Sequence, residues 1–126
     1  AFSPFICYEA IFPGAVTEAG RRAAWLLNVT NDSWFGPWGE PQLHLSLITF
    51  RSIESRLPQL RATNTGISAL IDHHGALQSV SPQFEPYALR GEVVPQSGLT
   101  PFARFGPWPA LALCLLLVLL ARARRR

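Results

Sequence analysis

Pro4-Phe5-Ile6-Cys7-Tyr8-Glu9 is an apolar, strand-like run that ends on a cysteine, with a carboxylate two residues later. Pro13 and Gly14 follow, and residues 15–24 read as a short helix ending near Arg21-Arg22, charges that suit a helix C-terminus. The predicted order is strand, thiol, helix. Helix N-terminal amides favour a thiolate, which is the nucleophilic form of cysteine. The amide after such a residue can also donate to an oxyanion developing at an attacked carbonyl. A free thiol is also a common buried packing residue. The stretch by itself therefore leaves Cys7 as either a nucleophile or a core side chain.

Outward from there, Trp25-Leu26-Leu27-Asn28-Val29 is an apolar run bounded by polar residues, the pattern of a strand covered on both faces. Asn31-Asp32-Ser33 breaks it into a Gly/Pro-rich loop that carries Trp34, Phe35 and Trp38, read as a loop folded over the core. Residues 41–57 form the clearest helix, with Leu43, Leu47, Phe50, Ile53 and Leu57 as its apolar stripe. Arg51 and Glu54 are placed to pair on its opposite edge, which makes Glu54 structural. His44 reads as a surface or interhelix histidine and not as a catalytic base. Pro58 ends the helix. Residues 60–64 and 67–72 are strand candidates, His73-His74-Gly75 a hairpin turn, 77–80 its return, and 87–94 a last strand. Adjacent histidines at a strand end point in opposite directions, and no cluster has metal-ligand spacing, so no metal is expected. The element order supports α/β or α+β and no finer class.

Residues 95–109 are rich in proline and glycine and read as a linker, neither strand nor helix. Residues 110–121 carry no charge, and the uncharged run begins near Phe105. A membrane-spanning helix needs roughly 20 residues, with about 17 the lower limit, so the length is marginal. Trp108 at one end and arginines at the other resemble interface anchors and favour spanning. A buried core helix is the alternative, and four arginines at its tip fit that poorly. Cys114 lies inside the run.

The chain has 126 residues, within one small domain, and is 48% hydrophobic, enough for a core and a membrane segment. Its net charge of +3 comes from Arg122, Arg124, Arg125 and Arg126; without them it is slightly acidic. This is a property of the tail and not a nucleic-acid-binding surface. Every basic residue is arginine; lysine and methionine are absent. Two cysteines this far apart give no disulfide framework. Ala1-Phe2-Ser3-Pro4 is no signal peptide, and the chain reads as the C-terminal piece of something longer.

Ile6-Cys7-Tyr8-Glu9 resembles the nucleophile motif of the apolipoprotein N-acyltransferases, membrane members of the nitrilase (carbon-nitrogen hydrolase) superfamily. Asn31-Asp32-Ser33-Trp34-Phe35-Gly36, Arg61-Ala62-Thr63-Asn64-Thr65-Gly66-Ile67, Gly98-Leu99-Thr100-Pro101-Phe102-Ala103-Arg104 and the apolar segment with its basic tail follow in the family's order. The resemblance covers essentially the whole chain. It implies the C-terminal half of a nitrilase-like α-β-β-α sandwich over residues 1–94, a linker over 95–109, one transmembrane helix with its core at 110–121, and a basic cytoplasmic tail at 122–126. It also implies a place in the bacterial inner (cytoplasmic) membrane, with the catalytic domain periplasmic and the C-terminus cytoplasmic, which agrees with the positive-inside rule. The Trp34–Trp38 loop would then line the active-site mouth or the bilayer interface.

The chemistry implied by the resemblance is a Glu-Lys-Cys triad, of which only the nucleophile maps here, as Cys7. The family places the Glu and Lys before the Cys, and this chain has no lysine. Tyr8 and Glu9 complete the Cys-Tyr-Glu motif as supporting residues. Glu9 could order the loop or engage the amine of the second substrate, or could be a solvated or helix-capping carboxylate. The implied partners are a phospholipid acyl donor, a diacylglyceryl-modified apolipoprotein acceptor and the membrane, with no nucleic acid and no cofactor. The alternatives are a membrane-anchored nitrilase-type amidase, and a non-catalytic tethered domain.

Overall fold

The computed structural model describes residues 1–124. β1 (Ser3–Ile6) runs into a 3-10 turn (Cys7–Ile11), and α1 (Pro13–Gly20) leads to β2 (Leu26–Thr30). α2 (Glu40–Ser55) leads to β3 (Gln59–Thr63), which is followed by β4 (Ala69–Ile71), β5 (Leu77–Val80), α3 (Pro101–Phe105) and α4 (Trp108–Ala123). The five strands form one mixed sheet in sequence order. β1, β2 and β3 are parallel, joined by the helical crossovers that parallel strands require, and β4 and β5 are antiparallel hairpin additions.

Period-2 alternation divides the sheet's faces. Phe5, Leu26, Asn28, Thr30, Gln59 and Arg61 turn inward and are buried. Val16, Leu45, Ile48 and Leu57 join Phe5 and Leu26 in the core. On the opposite face Ile6 is 69% and Val29 49% exposed. β2 is therefore covered on one face only among the described residues, against the expectation of two.

Several expected elements shift. α1 starts earlier, because Pro13 occupies the first helical turn where a missing N–H costs nothing, and it ends at Gly20. On α2 the buried positions are Pro41, His44, Leu45, Ile48, Arg51, Ser52 and Ser55. Of the expected apolar stripe, Leu43, Phe50 and Ile53 face outward and only Leu57, beyond the helix end, is buried. The inward face carries polar side chains that pair with distant parts of the chain, so hydrophobicity alone misplaced it. Arg51, expected at the solvent edge, is buried and donates to Glu54 Oε1 at 3.0 Å and to the Ile11 carbonyl at 2.9 Å. Glu54 pairs with Arg51, as read; burial raises its pKa, against the opposing effect of Arg51.

Residues 87–94 form no strand. Instead of pairing with a sheet edge, this segment packs on Leu70 of β4, so closely at Gly91 that a Cβ there would overlap the leucine. The expected linker contains α3, capped by Thr100, whose Oγ1 accepts from Ala103 N–H at 2.9 Å and donates to the Glu54 carbonyl at 2.5 Å. α4 has 16 residues, none buried. At about 1.5 Å per residue it is about 24 Å long, against roughly 30 Å for a bilayer's hydrocarbon core. No helix among the described residues is long and apolar enough to cross a membrane.

Candidate active site

The three parallel strands end on one edge of the sheet, the edge where open α/β sheets place their ligands. β1 delivers Cys7 there, β2 delivers Asn31-Asp32, and β3 delivers Asn64. Cys7 is half-buried and has φ +52°, in the left-handed region. A non-glycine residue held in such a region costs of order 1–3 kcal/mol, so its surroundings must over-determine it. Two side chains do so. Asn28 Nδ2 donates to the Cys7 carbonyl at 3.1 Å and the Phe5 carbonyl at 3.3 Å. Glu9 accepts from the Ile6 amide at 2.8 Å, closing the turn from its other end. The expected α-helix N-terminus is not at the thiol: a 3-10 turn starts there, and α1 begins six residues on.

Tyr8 stacks on the His44 imidazole, with ring centroids 4.7 Å apart and planes within 8°. Its hydroxyl donates to Glu40 Oε1 at 2.5 Å. That bond to a carboxylate, more than burial, pushes the phenol up to about 12, so Tyr8 keeps its proton at neutral pH.

Behind this turn lies a buried polar network. Arg61 Nη1 donates to Asn28 Oδ1 at 2.6 Å, Nη2 to Asp32 Oδ2 at 2.6 Å, and Nε to the Ile67 carbonyl at 3.1 Å. Asp32 is 1% and Arg61 3% exposed. Thr30 Oγ1 donates to Asp32 Oδ1 at 3.1 Å, and the Asp32 amide donates to Asn64 Oδ1 at 3.1 Å. Asn64 Nδ2 in turn donates to Asn31 Oδ1 at 2.6 Å, tying the loops after β2 and β3 together.

His44 is fully buried and not a surface residue. Its Nδ1 lies 3.2 Å from Arg61 Nη2 and 3.5 Å from Asp32 Oδ1. Burial, then the Arg61 charge, lowers the imidazole pKa, and the ring is neutral at pH 7. Asp32, Glu40 and His44 bring potential metal-ligand atoms within 4.8 Å of one another. Arg61 already engages both Asp32 Oδ2 and His44 Nδ1, so a cation there would face a fixed positive charge.

Trp34 and Trp38 are 82% and 84% exposed, so the loop does not fold over the core. A cleft between β4 and residues 92–94 shares no residue with the Cys7 turn. Sequence reading singled out Cys7, Tyr8 and Glu9; the structure adds Asn28, Asp32, Glu40 and Arg61 around the same turn, none of which was singled out as a site residue. The available signal was an amide and a guanidinium inside otherwise apolar strands, groups that are buried only when paired.

The profile of the carbon-nitrogen hydrolases matches residues 1–97. The chain belongs to the carbon-nitrogen hydrolase family. The fold agrees. A carbon-nitrogen hydrolase from Helicobacter pylori superposes with TM-score 0.59 at 11% identity, over 68% of this chain and 37% of that one. Nit3 of Saccharomyces cerevisiae, a member of the nitrilase superfamily, gives 0.56 at 18% identity over 68% of this chain and 34% of that one. Among curated relatives, an apolipoprotein N-acyltransferase of Methylococcus capsulatus is 44% identical over 96% of this chain and 24% of its own length. One of Azotobacter vinelandii is 40% identical over 98% of this chain and 24% of its own length. The chain spans about a quarter of the length of these relatives.

Proposed function

We propose that this chain is the nucleophile-bearing C-terminal part of a membrane N-acyltransferase that moves a fatty acyl group from phospholipid to the N-terminal amine of a diacylglyceryl-cysteine apolipoprotein. The observation that carries the reading is Cys7, held in a left-handed turn at the carboxyl end of β1 by Asn28 and Glu9. The similarity to apolipoprotein N-acyltransferases along nearly the whole chain supports the choice of reaction.

The Cys7 thiolate attacks the acyl ester carbonyl of a phospholipid and forms a C–S bond. The tetrahedral oxyanion collapses, the ester C–O bond breaks, and the lysophospholipid leaves with a proton from the general acid. The acceptor's free α-amine then attacks the thioester. A C–N bond forms, the C–S bond breaks to release the Cys7 thiolate, and the amine's lost proton goes to the general base, restoring the acid that protonated the lysophospholipid. The general base Glu and the Lys that steadies the oxyanion lie before Ala1 in the family pattern, consistent with a chain that contains no lysine. Tyr8 and Glu9 support the nucleophile: Glu9 orders the turn, and Tyr8, next in the chain, anchors it on His44 and Glu40.

Both substrates are lipids, which favours a site at a bilayer surface. α4 leaves every leucine it carries exposed, an arrangement suited to hydrocarbon. We place α4 in the inner membrane, anchored by Trp108 and the terminal arginines, with the catalytic domain periplasmic and the C-terminus cytoplasmic. A short hydrophobic helix is accommodated by local thinning of the bilayer and by snorkelling of its flanking residues. The open sheet face with Ile6 and Val29 is where the second sheet of the sandwich would pack.

The test is mass spectrometry of the whole protein in detergent with phospholipid. A hydroxylamine-labile fatty-acyl adduct on the Cys7 peptide is expected, discharged by a lipopeptide amine and absent in Cys7→Ala. An intact enzyme with no adduct would refute acyl transfer and favour an amidase. The isolated 126-residue chain is expected to show no turnover.

A further inference from the structure

We infer that Asn28, braced by Arg61, is a positioning residue for the nucleophile: its amide fixes the carbonyl of Cys7 and so sets the direction in which the thiol is presented. The inference rests on the acyl-transfer reading for its kinetic readout but on geometry alone for its second readout.

The strand register puts Phe5, Asn28 and Arg61 in one row across β1, β2 and β3. Asn28 is wholly buried, and both ends of its amide are used. Nδ2 bridges the carbonyls on either side of Ile6, those of Phe5 and Cys7. Oδ1 accepts from Arg61, which fixes the amide's orientation, because a flipped amide would turn a donor toward a guanidinium. Arg61 cannot swing away, since Asp32 and the Ile67 carbonyl hold its other nitrogens. The bridge spans the step where the backbone leaves extended geometry for φ +52° at Cys7. Glu9 holds the turn at the Ile6 amide, and Asn28 is the side chain that donates to the Cys7 carbonyl, so removing this donor loosens the turn at the cysteine.

Asn28→Asp removes the donor but adds a charge, so the uncharged Asn28→Leu is measured beside it and must show the same slowing. Asn28→Asp keeps the size and the acceptor facing Arg61, but it turns a carboxylate oxygen toward two carbonyls in place of the N–H donor. A displacement of about 1 Å at a reacting atom can cost roughly 100-fold in rate. In the whole enzyme, Asn28→Asp is expected to slow thioester formation on Cys7 by about that factor, with phospholipid KM changed less than about threefold, the pattern of an interaction felt at the reacting centre. Alkylation of Cys7 by iodoacetamide at pH 7.5 should change alongside it, a readout that needs no acyl substrate. A purely structural role would lower the unfolding temperature and leave both rates per folded molecule unchanged; that outcome overturns the inference. If Asn28→Asp does not yield folded enzyme, Arg61→Lys, which withdraws the forked brace and keeps the charge, must show the same slowing or the inference fails. If wild type forms no adduct, the acyl-transfer reading falls, and the alkylation comparison still decides the role of Asn28.

Discussion

Replacing Asp32 by Asn removes one charge and almost no volume from the most buried ion pair of the site. Asp32 Oδ2 lies 2.6 Å from Arg61 Nη2, with side chains 1% and 0% exposed. The new amide oxygen can still accept from Arg61, but the guanidinium loses the carboxylate it is bonded to and keeps the charge of Glu40 nearby, beside Asn28, the Ile67 carbonyl and a neutral His44. Breaking a buried pair by removing one partner costs about 3–5 kcal/mol, and the surviving hydrogen bonds place this case near 3. Each 1.4 kcal/mol is a factor of ten in an equilibrium. Hydrogen exchange followed by mass spectrometry on the peptide covering β3 should therefore speed up about 100-fold, because those amides open through this edge of the sheet. A double variant, Asp32→Asn with Arg61→Met, should recover part of the loss, since neither charge is then buried alone. An Asp32→Asn protein whose β3 peptide exchanges within about threefold of wild type would refute the argument that this pair holds the edge.

His44 gives a pH signature. Its folded pKa lies below the ordinary value of 6.5, so on acidification the unfolded chain takes up the proton first. The stability associated with the neutral ring is therefore full above that value and declines as pH falls from 6.5 toward the folded pKa, by at most about 1.4 kcal/mol per pH unit. Thermal unfolding from pH 7.5 to 5.5 should show that slope in wild type and lose it in His44→Gln; equal slopes would show that His44 is not the group. Gly66→Ala should destabilise by about 1–3 kcal/mol, because a Cβ at Gly66 overlaps the Asp32 carboxylate, which Thr30 and Arg61 hold in place. Differential unfolding of that variant checks it, and an unchanged midpoint would mean the loop after β3 moves freely.

What the sequence disclosed, and what it withheld, follows from where each residue's energy lies. The β1-thiol-helix order and the β4–β5 hairpin were legible because local signals set them: a proline at a helix start, and a glycine with φ +84° at position 75. The Cys7-Tyr8-Glu9 turn stands out in the sequence because its residues are contiguous. The inward face of α2 was not, because His44, Arg51 and Ser52 are buried by partners far along the chain, and no periodicity of hydrophobicity records a partner. Residues 87–94 have strand-like composition, yet contact with Leu70 decides their course. Asn28 was read simply as part of the apolar run 25–29. Its role becomes visible only when the register sets it beside Phe5 and Arg61.

That row of three has a consequence for which length changes the chain can absorb. Extra residues in the turns on the far edge of the sheet, between α1 and β2 or between α2 and β3, would lengthen a connection and leave the row in place. A single residue inserted within β2 ahead of position 28 would reverse the facing of everything after it. The amide would exchange places with a leucine, and the cysteine would lose its support without any catalytic atom having been substituted. Deletion and insertion scanning should therefore divide sharply by strand and turn, and the intolerance should be strongest in a strand that contributes no reacting group at all.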